Sequence, residues 1–369
     1  MISYYLIFLF LSICLLFSQQ ENNNTIWPPF LILSLFAGLR GATSGDYCNY
    51  YNIISATKSL YDIYIKYLDQ TITGVQDYGF IFLISIIKIF MTNSVLVFLS
   101  IAILAVGINL YSLRKLSPMF YGSVIIYFSH AFIYKEMAQM RHGLASAVLL
   151  MTIVLLYEKK FFQYLAFLLF AISNHISAIV GISFIFIKKY SIKRYIALIT
   201  IIIFIILVYY NIDLLIIQFI ESLNLLPERY FLYKGTVTKG STIGIITNIT
   251  TVKHLLIFMV CFFYFNQLSN KFGSLFELLF GIYCMGIVWL ILFNSYSILA
   301  ARVATFFTIV EIILVPMIAI YLTNHKFAKI IIIFYALIHL SYNIFMTQEV
   351  KYKGLIFSDT TDKCVIQRF

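Results

Sequence analysis

Apolar runs of roughly 15–22 residues recur along the whole chain, near 2–17, 28–39, 94–112, 118–134, 143–157, 195–212, 252–266, 274–294, 299–322 and 327–346. A helix of that length matches the hydrocarbon thickness of a bilayer, and it satisfies its own backbone N–H and C=O groups, which hydrocarbon requires. Composition leaves little room for anything else. Of 369 residues, 62% are hydrophobic and only 11% are charged, which is more apolar side chain than a soluble domain of this size can hide. The expected fold is an all-α polytopic membrane protein of roughly 10–12 transmembrane helices, a single integral membrane domain over residues 1–369. The opening "MISYYLIFLFLSICLLFSQQ" has signal-peptide length but no basic n-region and no small-x-small cleavage site, so it reads as an uncleaved first helix.

Two segments fit the pattern less simply. Residues 79–90 are short and carry Lys88, which suits an interfacial helix or the start of a long tilted one. Residues 161–187, "FFQYLAFLLFAISNHISAIVGISFIFI", are broken in the middle by "SNH" and read as one tilted span or as a hairpin of two short ones. The placement of basic residues favours the hairpin. Clusters occur at Arg114-Lys115, Lys159-Lys160, Lys188-Lys189 with Lys193-Arg194, Lys271, and Lys326 with Lys329. They all fall on the cytoplasmic side only if 161–187 crosses twice and the N-terminus starts outside. These loops hold eleven Lys/Arg against the single acid Glu158, so nearly all of the formal net charge of +11 is an orientation signal. A nucleic-acid partner is therefore not expected; the lipid bilayer is.

That topology leaves long outer loops near 40–78 and 213–251 and an outer tail near 347–369, rich in Tyr, Asn, Thr and Gly. Apolar residues at helical spacing (Ile53, Ile54, Leu60, Ile63, Tyr64, Tyr67) predict a helix lying on the membrane surface within the first loop. The five cysteines are scattered, without CxxC or a nearby His at ligand spacing, so no metal site and no disulfide framework is expected; Cys48 and Cys364 are the pair able to meet outside the membrane.

With this orientation, polar residues from distant segments gather at the outer face. Arg40 ends the second span, Arg141 and His142 begin the fifth, His175 sits at the turn of the hairpin, and Arg302 lies just inside an outer helix end among alanines and valine. Arg229 stands in the outer loop as "PERY", and Asp46 in "SGDY" follows Arg40 by six residues. Taken singly each has an ordinary reading: an Arg at a helix end snorkels to headgroups, a His in a turn is a hydrogen-bonding group, an Asp after Gly is a turn residue. Glu311, mid-helix, is either a packing partner for a polar neighbour or a relay.

Together they suggest a chemistry. The guanidinium fork binds phosphate oxygens in pairs and keeps its charge in apolar surroundings, and a lipid-anchored diphosphate presents itself at this depth. If the diphosphate is a leaving group, the same arginines stabilise the charge that develops as its bond to sugar breaks, while a His or carboxylate takes a proton from the attacking hydroxyl. The candidates for that base are His175, His142 and Asp46. Tyr47, Tyr50 and Tyr51 of "DYCNYYN", with Arg229 in "ERYFLYKG", suit contact with sugar rings or simple anchoring at the interface.

At these residues the chain resembles the EpsG-like family of polytopic membrane proteins, which includes Wzy-type O-antigen and capsular polysaccharide polymerases. The resemblance runs, in order, through "GLRGATSGDYCNYYN", "MRHGLASAVLL", "SNHISAIVGI", "ERYFLY" and "ARVATFF…ILVP", from about residue 30 to 320. His142 departs from it, standing where the family usually has Gln. The resemblance implies a GT-C-like glycosyltransferase of the bacterial inner membrane, using no metal, cofactor or nucleotide-sugar. It would join oligosaccharide repeats carried on undecaprenyl diphosphate at the periplasmic face, with a chain-length regulator protein as a further partner. Arg40, Arg141 and Arg302 are then expected to bind the diphosphate. The competing expectation is a flippase for lipid-linked oligosaccharide, which needs a charged cavity open to each side in turn and often carries related halves; no repeat is visible here. A third, an outer-face acyl- or phosphotransferase, would call for a His near the first span, and none precedes His130.

Overall fold

In the computed structural model the described residues are 2–18, 25–41, 46–60, 77–210, 249–293 and 297–346, with single positions at 212, 215, 218, 219 and 222. They are helical, without a β-strand, as an apolar chain that must satisfy its own backbone requires. By length and hydropathy four helices can cross a membrane, or six if each of two bent pairs is one span, and five further apolar helices of 10–17 residues accompany them. The expected 10–12 spans therefore correspond to helices of which only some have full spanning length. The chain divides into two compact units, Met1–Ile179 with Ala319–Phe369, and Val180–Ile318.

The first unit contains α1 (Ile2–Phe17), α2 (Trp27–Gly38), α3 (Tyr47–Ala56), α4 (Tyr78–Phe90), α5 (Ser94–Leu116), α6 (Phe120–Tyr127), α7 (Met140–Tyr157) and α8 (Phe161–Asn174). Local signals account for their limits. Prolines occupy the first positions of α2, where a missing N–H costs nothing. Asn93 caps α5 by accepting from Val95 N at 2.8 Å, and Arg114 and Lys115 in its last turn suit the negative end of the helix dipole. The run expected near 118–134 is not one regular helix: α6 passes into a π-helical turn, Phe128–Phe132, and a last piece, Ile133–Lys135. The break expected at "SNH" is present. α8 stops at Asn174, His175 is extended, and a 3-10 segment, Ile176–Ile182, follows.

Helix direction sorts this unit into two ends. Glu158 lies 4.0 Å from Lys115 and accepts from Lys160 at 2.7 Å, which holds that carboxyl below the usual carboxylate range. At the same end Tyr121 donates to Thr25 O, and Lys329 donates to Leu16 O in the last turn of α1 and to Ser18 O just beyond it. Arg40, Arg141 and His175 lie at the other ends of helices that begin or finish here. Two close approaches fix the helices that carry them. A Cβ on Gly38 would fall 2.6 Å from Leu99 Cα, and one on Gly143 would fall 2.6 Å from Lys135 O, so α2 meets α5, and α7 meets the 133–137 segment, with room for hydrogen only.

The second unit contains α9 (Ser183–Tyr190), α10 (Arg194–Tyr209), α11 (Ile249–Phe263), α12 (Phe265–Phe272), α13 (Ser274–Leu292), α14 (Ser297–Thr308) and the first part of α15 (Glu311–Leu322), whose remainder leads to α16 (His325–Met346) in the first unit. α13 is its centre, packed by α9, α10, α11, α12 and α14. The expected single run 299–322 is two helices bent by 48°. Cys14, Cys261 and Cys284 are free thiols while Cys48, one of the two cysteines expected to be able to meet outside the membrane, is disulfide-bonded; Cys364 lies outside the described residues.

Candidate functional site

The polar residues of the first unit form a connected cluster at the end opposite Lys115 and Lys160. It starts where α2 runs out. Arg40 follows Gly38 and Leu39, is 1% exposed, donates from Nη1 to Ala37 O, and lies with its guanidinium 5.2 Å from the centre of the Phe98 ring. Its Nε and Nη2 are buried and have no hydrogen-bond partner. A cation–π contact contributes about 0.5–2 kcal/mol, and Glu136, Tyr47 and Tyr50 also act on this charge. Burying a cation is costly, and a fork with two nitrogens left without hydrogen bonds points to a functional group.

α3 covers this arginine. Tyr47 stacks on Phe98 at 5.1 Å, and Tyr50 sets its ring edge-on to Phe80 at 6.1 Å; both are buried, while Tyr51, stacked on Tyr47, is half-buried. Tyr50 joins two cations. It interacts electrostatically with Arg40 and with Arg141, whose guanidinium lies 5.8 Å from the centre of its ring.

Arg141 begins α7 and donates from Nη1 to Asp77 Oδ2 at 2.7 Å, with the two side chains 26% and 11% exposed. Asp46, half-buried at the start of α3, acts on the same guanidinium. Arg141 Nε is buried without a hydrogen-bond partner. Beside it His142, also buried, holds its Nδ1 2.9 Å from Lys135 Nζ. When Lys135 carries its proton it donates to Nδ1, and the ring proton is then on Nε2. The His175 ring meets His142 edge to face at 5.0 Å. Deeper in the unit, Glu136 Oε1 accepts from Tyr127 at 2.9 Å and from Asn109 at 3.1 Å, and all three residues are buried.

Arg40, Asp46, Tyr47, Tyr50, Arg141, His142 and His175, all singled out in the sequence, thus belong to this cluster. Arg302 lies in the second unit, exposed on α14, and Arg229 lies outside the described residues. Sequence reasoning missed Asp77, Lys135, Glu136 and Asn109. Lys135 and Glu136 stand five to seven residues before Arg141 and His142, and a paired charge at the edge of an apolar run was the available signal; nothing in the sequence marks Asp77 or Asn109.

The second unit has its own buried charge group. Lys253 donates to Glu311 Oε1 at 2.9 Å, His254 Nδ1 lies 3.1 Å from Glu311 Oε2, and Tyr283 OH lies 2.8 Å from the same imidazole nitrogen. Of the two readings of Glu311, these contacts supply the polar neighbours that a packing role needs.

No solved structure matches this chain. Among curated proteins it is 25% identical over 368 residues to the amylovoran biosynthesis protein AmsC of Erwinia amylovora, with 93% of each chain covered. The sequence pattern of the EpsG family matches residues 24–356, a range that takes in every helix from α2 to α16 and all the residues of the cluster, so the chain belongs to the EpsG family.

Proposed function

We propose that the protein is a glycan polymerase of the bacterial inner membrane, joining oligosaccharide repeats carried on undecaprenyl diphosphate into O-antigen or capsular polysaccharide at the periplasmic face. The observation that carries this reading is the set of buried guanidinium nitrogens without partners, Nε and Nη2 of Arg40 and Nε of Arg141, on two arginines that both act on Tyr50. Unused donors of fixed positive charge call for an anion with several oxygens, and a diphosphate supplies it. Membership of the EpsG family, and a relative whose name assigns it to amylovoran biosynthesis, support a role in polysaccharide biosynthesis. The disulfide at Cys48, on α3 beside the cluster, suits an oxidising compartment on that side.

In the reaction the acceptor hydroxyl attacks the anomeric carbon of the donor sugar. The bond from that carbon to the diphosphate oxygen breaks, and its electron pair leaves with the diphosphate. Arg40 and Arg141 stabilise the growing charge, a contribution realised mainly in the transition state. The hydroxyl proton passes to His175, with Asp46 and His142 as the other candidate acceptors. Tyr51, the most accessible of the three tyrosines, is the one best suited to a sugar face, with Tyr47 and Tyr50 as further contacts; Arg229, the other expected sugar contact, lies outside the described residues.

Gene deletion followed by gel analysis of surface polysaccharide tests this. Loss of a polymerase leaves lipid A core capped by one repeat, whereas loss of a flippase leaves none. In the deleted strain, Arg141→Lys is expected to lose most long chains at normal membrane abundance, since Lys lacks the planar fork, and His175→Ala to lose them all. Near wild-type ladders from Arg40→Ala and Arg141→Ala would remove the diphosphate site.

A further inference from the structure

We propose that the end of the second unit formed by the α9–α10 turn and α12 binds one anionic phospholipid, its phosphate on the Arg194 fork and its acyl chains along α10. The proposal stands apart from the polymerase reading. Arg194 opens α10, and its guanidinium lies 4.8 Å from the centre of the Tyr195 ring and 5.8 Å from that of Phe262 on α11. These two rings meet edge to face at 5.7 Å. Nη2 donates to Tyr195 OH at 3.0 Å, and among the described residues no carboxylate pairs with the fork. Rings on either side fix the orientation of a guanidinium without taking its charge, and its remaining N–H groups suit phosphate oxygens. Lys193 and Arg194 also stand at the positive end of the α10 dipole, an unfavourable place for cations that a bound anion relieves.

Further cations gather around this fork. Lys188 and Lys189 lie in the last turn of α9 and Lys271 in the last turn of α12. Glu277, in the first turn of α13, accepts from Ser191 at 2.7 Å through one oxygen and from Ser269 at 2.6 Å through the other, so a single carboxylate ties the α9–α10 turn to α12. Across residues 180–210 and 262–282 those three lysines, Lys193 and Arg194 stand against that one acid. This end also has the form of a headgroup layer. α12 leaves α11 at 77°, with Leu268 buried and Gln267, Asn270 and Lys271 exposed, as in a helix lying in the membrane interface. From there Tyr195, Ile199, Ile202 and Ile206 form an exposed stripe at helical spacing along α10. The stripe is about 16 Å long, about half the hydrocarbon thickness, which is the reach of acyl chains in one leaflet. Positive charge at its head and apolar surface below it match an anionic phospholipid, and in the expected orientation this end meets the anionic cytoplasmic leaflet.

The test is native mass spectrometry of the full-length, delipidated protein in detergent, titrated with phosphatidylglycerol or with phosphatidylethanolamine of the same acyl chains. The wild type is expected to retain one phosphatidylglycerol about tenfold more tightly than phosphatidylethanolamine, and Arg194→Gln to lose that preference. Arg194→Lys keeps the charge but not the fork, so it is expected to bind phosphatidylglycerol roughly threefold more weakly than the wild type; it serves as the second variant if Gln lowers the melting temperature. Arg114→Gln removes the same charge from an exposed position in the first unit and is expected to bind as the wild type does. A wild type without preference, or Arg194 variants that bind as the wild type does, overturns the site. Equal losses in Arg114→Gln and Arg194→Gln overturn it as well, since the lipid then answers to total positive charge rather than to this fork.

Discussion

At the residue scale, Arg40 and Arg141 differ from ordinary helix-end arginines in where their nitrogens go. A snorkelling Arg points its head into water, whereas Arg40 is enclosed between Phe98 and the tyrosines of α3. His142 is defined just as closely by its hydrogen bond with Lys135. A Gln at this position, the residue usual in the family, offers a carbonyl oxygen to the same ammonium, so His142→Gln should keep polymer length and membrane abundance near wild type. His142→Leu removes an acceptor from a buried cation and should destabilise the protein by roughly 1–3 kcal/mol, read as lower abundance and a lower melting temperature in detergent. Gly143→Ala belongs with it. The added methyl meets the backbone of Lys135, which cannot step aside, and a cost of about 1–3 kcal/mol is expected, with loss of polymer because Arg141 and His142 shift with the start of α7.

At the scale of elements, the cluster is made by helix ends rather than by any one helix. α2 delivers Arg40, α7 delivers Arg141 and His142, α8 delivers His175 where it stops, and α4 brings Asp77. α4 is 13 residues, about 20 Å, too short for the bilayer core. Asp77 at its start pairs with Arg141, and Lys88 in its last turn donates to Thr57 O beyond α3, so it runs along the cluster end as an interfacial helix would. The opposite end depends on Lys329, which bonds Leu16 O and Ser18 O, carbonyls that the end of α1 leaves without helical partners. Lys329→Met should lower stability by about 1–3 kcal/mol, measured by thermal melting in detergent, while surface polysaccharide stays long because the cluster lies at the other end.

For the whole molecule, the prediction concerns sidedness. The Lys115–Glu158–Lys160 contacts bring two of the basic loops together, as the distribution of Lys and Arg requires if they share the cytoplasm. Reporter fusions at Lys115, Lys160, Ser191 and Lys326 are expected to report cytoplasm, and one at Asn93 periplasm. Ser191 is the decisive position. A periplasmic signal there means that 161–187 crosses once, and the His175 turn then lies within the membrane. The expected surface helix of the first outer loop is described only in part, as α3, and its continuation through Tyr67 lies outside the described residues, as do most of 213–251 and all of 347–369.

The sequence by itself determined the all-helical membrane fold, because long uncharged runs admit few structures in hydrocarbon, and it determined most helix limits, because Pro28, Asn93 and the "SNH" break act locally. It also marked Arg40, Arg141 and His175, since charge beside an apolar run is costly wherever the chain goes. Tertiary structure alone decided their partners. Asp77 is 64 residues from Arg141 and Asn109 is 27 from Glu136, and no periodicity encodes such pairs. They arise because glycines 38, 79 and 143 allow helix backbones to meet at distances that only a missing Cβ permits, and because burial then leaves each charge to find whichever opposite group the packing has placed beside it.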